Sequence, residues 1–263
     1  MQYAELLRAR RALIWYGSIF LACAALCVAL VSKDGSLASQ IARSRTPVVP
    51  FVAILAGSGF GPILLAGFMA VGLDAEFKTA AIAWTRPVAR LRIAAAYVAV
   101  DVGTLLVAWL FTVAVALLGI VLLGLAPYLT LTGAGDLRGL LPLTFGVALM
   151  WYGLVVLVTM LIPGRGNAIV GASWGYALFV PGLAAAPFPS ALHQVLVALN
   201  YLNPLAYLSN DGPHRRGTIS IQGDGGSTLL GGSATVHTLI PWTIAVVAVL
   251  VATRLWAERE VPA

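Results

Sequence analysis

VGTLLVAWLFTVAVALLGIVLLGLA, residues Val102 to Ala126, holds no Asp, Glu, Lys, Arg, His, Asn or Gln. About 20 apolar residues in a helix cross the hydrocarbon of a bilayer, so this one stretch can span a membrane unaided. The rest of the chain repeats the pattern. Charge-free runs extend over Ala12 to Ser32, Thr46 to Leu73, Val102 to Gly135, Gly139 to Gly164, Gly166 to Asn210 and Gly225 to Thr253. Of the 263 residues, 60% are hydrophobic and 10% charged, which excludes a soluble globule, whose surface needs far more charge, and a disordered chain, which would be poorer in apolar residues.

The expected fold is an all-α polytopic membrane protein with six transmembrane helices, near residues 13–31, 48–73, 98–125, 141–162, 168–186 and 238–256. The single transmembrane domain occupies 1–263. The fifth run is longer than one span needs. Its second part, Ser190 to Leu202, is too short to cross and sets Leu192, Val195, Leu196, Leu199 and Leu202 opposite His193, Gln194, Asn200 and Asn203. It reads as an outer interfacial or re-entrant helix before span six, within an extracytoplasmic loop over 187–237. Residues 1–11, with Tyr3, Leu6 and Leu7 among charges, read as a separate N-terminal interfacial helix. The run after Arg11 is too long for a secretory signal core, so an uncleaved first span is expected.

The charges orient these spans. With both termini cytoplasmic, ten basic residues lie inside (Arg8, Arg10, Arg11, Lys78, Arg86, Arg90, Arg92, Arg165, Arg254, Arg259) and six outside. Cys23 and Cys27 are the only cysteines and read as packing residues. His193, His214 and His237 are far apart in sequence, with no Cys or paired carboxylate to complete a metal site.

The inner loop over 74–92 is more than a linker. Asp74 can cap a short helix through the Ala-rich stretch to Trp84, Pro87 ends it, and a second helix enters the third span through Arg90 and Arg92. Such a helix can simply anchor to anionic headgroups. However, Glu76-Phe77-Lys78-Thr79, followed by Thr85-Arg86-Pro87-Val88-Ala89-Arg90, resembles the cytoplasmic loop of the type-2 ABC transporter permease family. There an acidic residue and a Gly-Thr pair precede Pro-Val-Ser-Arg; this chain has Lys78 in place of Gly and Ala89 in place of Ser. Asn203-Pro204-Leu205-Ala206-Tyr207 is similar to that family's Asn-Pro-Leu-Thr-Tyr stretch, and Arg254 to Glu260 is like its basic tail.

The resemblance implies a permease subunit of an ATP-driven exporter in the bacterial cell (inner) membrane, paired with a second copy or a paralogue. Each such subunit docks a P-loop ABC ATPase through a coupling helix. Glu76, Lys78, Thr79, Trp84, Arg86, Pro87, Val88 and Arg90 are the docking candidates. The chain has no G-x-x-x-x-G-K-[ST], so ATP and Mg are expected on the partner, with no cofactor on this chain and no nucleic acid partner. Drug, antibiotic, peptide, lipid and glycan exporters share the scaffold.

Two G-x-x-x-G pairs, Gly57 with Gly61 and Gly171 with Gly175, are candidates for close helix contacts within one subunit or between two. Asp101 has two readings. Counted from Arg92 it lies about 13 Å along the helix, near mid-bilayer, where a charge usually marks a pathway. Because Val102 to Ala126 can span alone, the expectation is instead a solvated residue at the inner interface. Three other functions are weighed. A permease-like subunit could pass ATP-driven motion to an extracytoplasmic partner on the Gly-rich segment Gly212 to Val236. Gly171-Ala172-Ser173-Trp174-Gly175 fits G-x-S-x-G of an intramembrane protease, but Ser173 and His237 lie at opposite ends of their spans. A secondary transporter would show repeats and more intramembrane charge.

Overall fold

The computed structural model describes residues 2–34, 49–50, 59–72, 90–123, 129–130, 134–184, 189–207 and 234–258. Its helices are α1 (Gln2–Asp34), α2 (Phe60–Met69), α3 (Arg90–Leu122), α4 (Ala134–Leu161), α5 (Gly166–Ala184), α6 (Ser190–Asn200) and α7 (Ala234–Glu258). A 3-10 turn at Pro204–Tyr207 follows α6. A two-residue parallel pairing of Val49–Pro50 with Leu129–Thr130 links the α1–α2 and α3–α4 connections. Among the described residues four helices are long and apolar enough to cross a membrane: Leu6–Leu30, Arg90–Leu122, Leu141–Leu161 and Leu239–Glu258. Apart from that short pairing, the described elements are helical, the architecture of a multi-pass membrane protein.

One expectation is corrected. The separate interfacial helix over 1–11 does not form; α1 runs unbroken from Gln2 to Asp34, with neither Gly nor Pro before Gly17 to interrupt it. Helix α3 starts at Arg90, in keeping with the expected helical entry through Arg90 and Arg92, and α4 runs from Ala134 with Pro142 inside it, its spanning part being Leu141–Leu161. Expected span two is described only from residue 59, and expected span five corresponds to α5 over Gly166–Ala184.

Side-chain contacts fix the helix directions. Arg8 meets Asp101 and Tyr16 meets Thr112, so α1 and α3 run parallel. Trp109 meets Thr144 and Asp101 meets Tyr152, so α3 and α4 are antiparallel. Trp242 packs against Pro142 and Gly146, while Gly153 faces Ala245, Ala248 and Val249, making α4 and α7 parallel. Gly61 lies against Tyr16 and Gly72 against Arg8, so α2 runs opposite to α1. One end of the bundle, here called proximal, therefore holds the start of α1, the end of α2, the start of α3, the end of α4 and the end of α7.

The core centres on α4. Trp151, Tyr152, Met150, Val147 and Val155 are buried there, against Leu105, Ile63 and Ala248. Gly146 and Gly153 let α7 approach closely: a Cβ on Gly146 would fall 2.6 Å from the Trp242 Nε1, and one on Gly153 would fall 3.1 Å from the Ala245 carbonyl. Without a hydrophobic drive between helices in lipid, such backbone proximity and interhelical hydrogen bonds supply the association. The Trp242 indole donates to the Pro142 carbonyl at 2.9 Å.

In α6, Leu192, Val195 and Leu199 are exposed together with Gln194, whereas Asn200 at its end and Asn203 just beyond it are buried. Asn203 donates to the Ala177 carbonyl at 3.0 Å and accepts from the Leu205 amide at 2.9 Å, docking the Asn-Pro turn onto α5. Burial pushes the Tyr207 phenol above its usual range, and its hydroxyl donates to the Tyr201 carbonyl at 2.8 Å. The turn between α4 and α5 uses Gly164 at φ 78°, a left-handed position that suits glycine.

Candidate functional site

The chemistry of the described bundle concentrates at Asp101. It lies about 17 Å along α3 from Arg90 at 1.5 Å per residue. Its side chain is 0% exposed, which corrects the expectation of a solvated interfacial residue. One carboxylate oxygen pairs with the Arg8 guanidinium from α1, and the other accepts the Tyr152 hydroxyl from α4 at 2.8 Å. The solvated reading counted residues along α3 alone. It omitted the cation that reaches across from another helix and takes the place of water.

Arg8 is placed by three further features. The continuation of α1 through residues 2–11 sets it beside α3. Its guanidinium carbon stands 4.6 Å from the centre of the Tyr97 ring, one turn before Asp101, in a cation–π contact. At the end of α2, Gly72 leaves room for it, since a Cβ there would lie 2.8 Å from that carbon and 3.1 Å from the Tyr97 hydroxyl. Four helices therefore meet at one ion pair whose carboxylate is fully buried. A buried carboxylate would cost several kcal/mol, on the order of the whole stability margin, without such partners.

Above this cluster the α1–α3 contact continues in polar and aromatic steps. Thr112 donates its hydroxyl proton to the Ala108 carbonyl at 2.8 Å and so accepts from Tyr16 at 2.6 Å. Phe20 and Phe111 then pack edge to face. Arg8 is 27% exposed and also lines an open groove of about 560 Å³ between α1, α2 and the start of α5.

The predicted docking residues Glu76, Lys78, Thr79, Trp84, Arg86, Pro87 and Val88 lie outside the described residues. Arg90 is described, exposed at the first position of α3. Gly57 is outside the described residues, while Gly61 packs within the chain: its Cβ would lie 3.3 Å from the Tyr16 phenol carbon. Gly171 and Gly175 have open space where a Cβ would stand. Ser173 donates to the Val170 carbonyl at 2.8 Å within α5, as a helix-interior serine does, and has none of the strand-turn-helix setting of a hydrolase nucleophile. Among the described residues no group of three His, Cys, Asp or Glu side chains could hold a metal ion.

Sequence reading missed Arg8 as a partner, counting it as a topology charge, and missed the Gly146 and Gly153 seam. The seven-residue spacing of those glycines within an apolar run was the available signal. For Arg8 there was none, because its partner is 93 residues away. Compared with known proteins, the chain matches no family model, no curated protein and no solved structure.

Proposed function

We propose that the chain is the transmembrane permease subunit of an ATP-driven exporter, working with a second permease copy or paralogue and with P-loop ATPase subunits on separate chains. The observation that carries this reading is the set of helix directions. Parallel α1 with α3, antiparallel α3 with α4 and parallel α4 with α7 are the directions that six alternating crossings require, with both termini at the proximal end. The described residues on either side of 73–89 lie at that same end, where Arg10, Arg11, Arg90 and Arg92 are exposed. This is where the resemblance puts the ATPase, and the lack of a P-loop motif in the sequence calls for a separate energy source.

The mechanism follows from connectivity. The loop over 73–89 feeds directly into α3, and Asp101 on α3 ties α1 through Arg8 and α4 through Tyr152. An ATPase that closes on nucleotide pulls the loop, and the motion of α3 carries α1 with it. A rigid helix with a buried ion pair transmits displacement better than a solvated contact, which is free to exchange with water. The cargo expected on this scaffold is a drug, antibiotic, lipid or glycan moving outward across the bacterial cell membrane.

The test is co-expression with a P-loop ATPase encoded in an adjacent reading frame. The two chains are expected to co-purify, and the combination of Glu76→Arg with Arg86→Glu is expected to break that complex and stop transport into vesicles. Intact co-purification and transport in this variant would overturn the docking assignment. ATPase coupling without movement of any cargo would leave a subunit that transmits motion alone.

A further inference from the structure

The groove beside Arg8 has the size and lining of a ligand site. Its volume of about 560 Å³ falls in the range of small-molecule pockets, roughly 300–1,000 Å³. Ala12 of α1, Leu65, Phe68 and Met69 of α2, and Val170 of α5 make its apolar walls. Its polar lining residues, Arg8 and Asn167, both stand at the proximal end, near the starts of α1 and α5. Phe68 is 69% exposed on the rim, so the groove opens sideways to whatever surrounds the bundle.

Charge selects among amphiphiles. Arg11, one helical turn beyond Arg8 and next to Ala12, is exposed, as is Arg165, two residues before Asn167. Among the described side chains the carboxylates are Asp101, which is wholly enclosed by its own partners, and Glu258, which pairs with Arg254. Among the described side chains no acid other than Asp101 therefore stands near the groove, and the described residues around its polar end, Arg8, Arg11 and Arg165 against Asp101, sum to a positive charge. An open apolar trough with a basic end at one side of a membrane helix bundle matches a lipid whose tail lies in the trough and whose headgroup is anionic.

We infer that this groove binds one anionic phospholipid of the surrounding bilayer, its acyl chain along Ala12, Leu65 and Val170 and its phosphate at the end lined by Arg8 and Asn167, with the exposed Arg11 and Arg165 adding charge nearby in sequence. The lipid wedges between α1 and α5 over α2, three helices that otherwise share few contacts there. Gly72, where a Cβ would meet the Arg8 guanidinium, leaves room for Arg8 to stand beside Asp101 at the end of the trough. The inference stands apart from the exporter reading, since it needs no ATPase and no cargo.

The full chain, purified in detergent, is titrated with dioleoyl phosphatidylglycerol and separately with dioleoyl phosphatidylcholine, and bound lipid is counted by native mass spectrometry. One phosphatidylglycerol is expected to be held about tenfold more tightly than phosphatidylcholine, from the pull of one or two arginines on an acidic headgroup. Ala12→Phe, which fills the trough, and the pair Arg11→Gln with Arg165→Gln, which removes the flanking charge, are each expected to abolish that preference. Leu250→Phe, on the exposed face of α7, is expected to leave it intact. If Ala12→Phe does not assemble, Asn167→Leu at an exposed position serves in its place. Equal retention of the two lipids would overturn the site. So would a preference that survives Ala12→Phe, one lost equally in Leu250→Phe, or full displacement of the lipid by inorganic phosphate.

Discussion

The α4–α7 seam and the α1–α3 seam are both parallel helix contacts, yet they are built from opposite materials. Between α4 and α7 the backbones close through Gly146 and Gly153 onto Ala245 and Ala248, with Trp242 filling the space beside Gly146. Between α1 and α3 the contact is a ladder of polar and aromatic pairs, from Arg8–Asp101 through Tyr16–Thr112 to Phe20–Phe111. In the apolar windows of these helices, 67% of α4 is buried and none of α1. A bilayer offers helices two ways to associate, close packing of small residues and hydrogen bonds that lipid cannot replace. The protein uses the first for its core and the second for a peripheral helix whose apolar window stays unburied.

The comparison can be broken from the packed side first. Gly146→Leu places a side chain where the Trp242 indole stands, and is expected to cost about 3 kcal/mol or more, seen as loss of a monodisperse peak and a lower thermal midpoint in detergent. On the polar side, Asp101→Ala leaves the Arg8 charge without its carboxylate. We expect a loss of about 3 kcal/mol, moderated by the freedom of a part-exposed arginine to turn toward water. Combining Arg8→Gln with Asp101→Asn should cost less than the sum of the single changes in a double-mutant cycle. If Asp101→Ala proved far worse than Gly146→Leu, the ranking of the two seams would be reversed.

Smaller changes sharpen the picture. Tyr152→Phe removes one hydrogen bond to a buried carboxylate and should lower stability by about 1.5 kcal/mol, read by thermal unfolding. Thr112→Val breaks the next rung, where an interhelical bond within a membrane averages only about 0.6 kcal/mol. Gly171→Ala, which meets open space, should shift the midpoint of the isolated chain by no more than about 0.5 kcal/mol. A larger effect on the oligomer than on the single chain would place a second copy against α5.

Some of this was legible in the sequence because it is local. Hydropathy along Val102 to Ala126 identifies a spanning helix without reference to any neighbour, and the same holds for the runs that became α1, α4 and α7. The short helix at Ser190–Asn200 was equally readable, as was the break at Asn203-Pro204, since the leucine period and the proline are properties of consecutive residues. The direction in which α6 faces was not. Leucines and asparagines divide the same way on a helix whether its surroundings are water or lipid, and only the packing of Asn203 onto the Ala177 carbonyl shows which side is covered.

The glycine candidates show the same division. Gly61 and Gly171 carry identical short motifs, but one sits beneath a tyrosine and the other meets open space among the described residues. Gly146 and Gly153, which bring two helices together, carried no G-x-x-x-G motif at all.

The sequence by itself determined that this chain belongs in a membrane, where its long apolar helices lie, and that the given residues hold no G-x-x-x-x-G-K-[ST] motif. Each of these follows from the transfer free energy or chemistry of neighbouring residues. Only the tertiary structure decided that Arg8 answers Asp101, that α4 is the core while α1 hangs on a polar clasp, and that a basic-ended groove opens beside that clasp. The physical reason is that the worth of a buried charge depends on what stands within a few ångströms of it, and residues 8 and 101 become neighbours only when their helices pack.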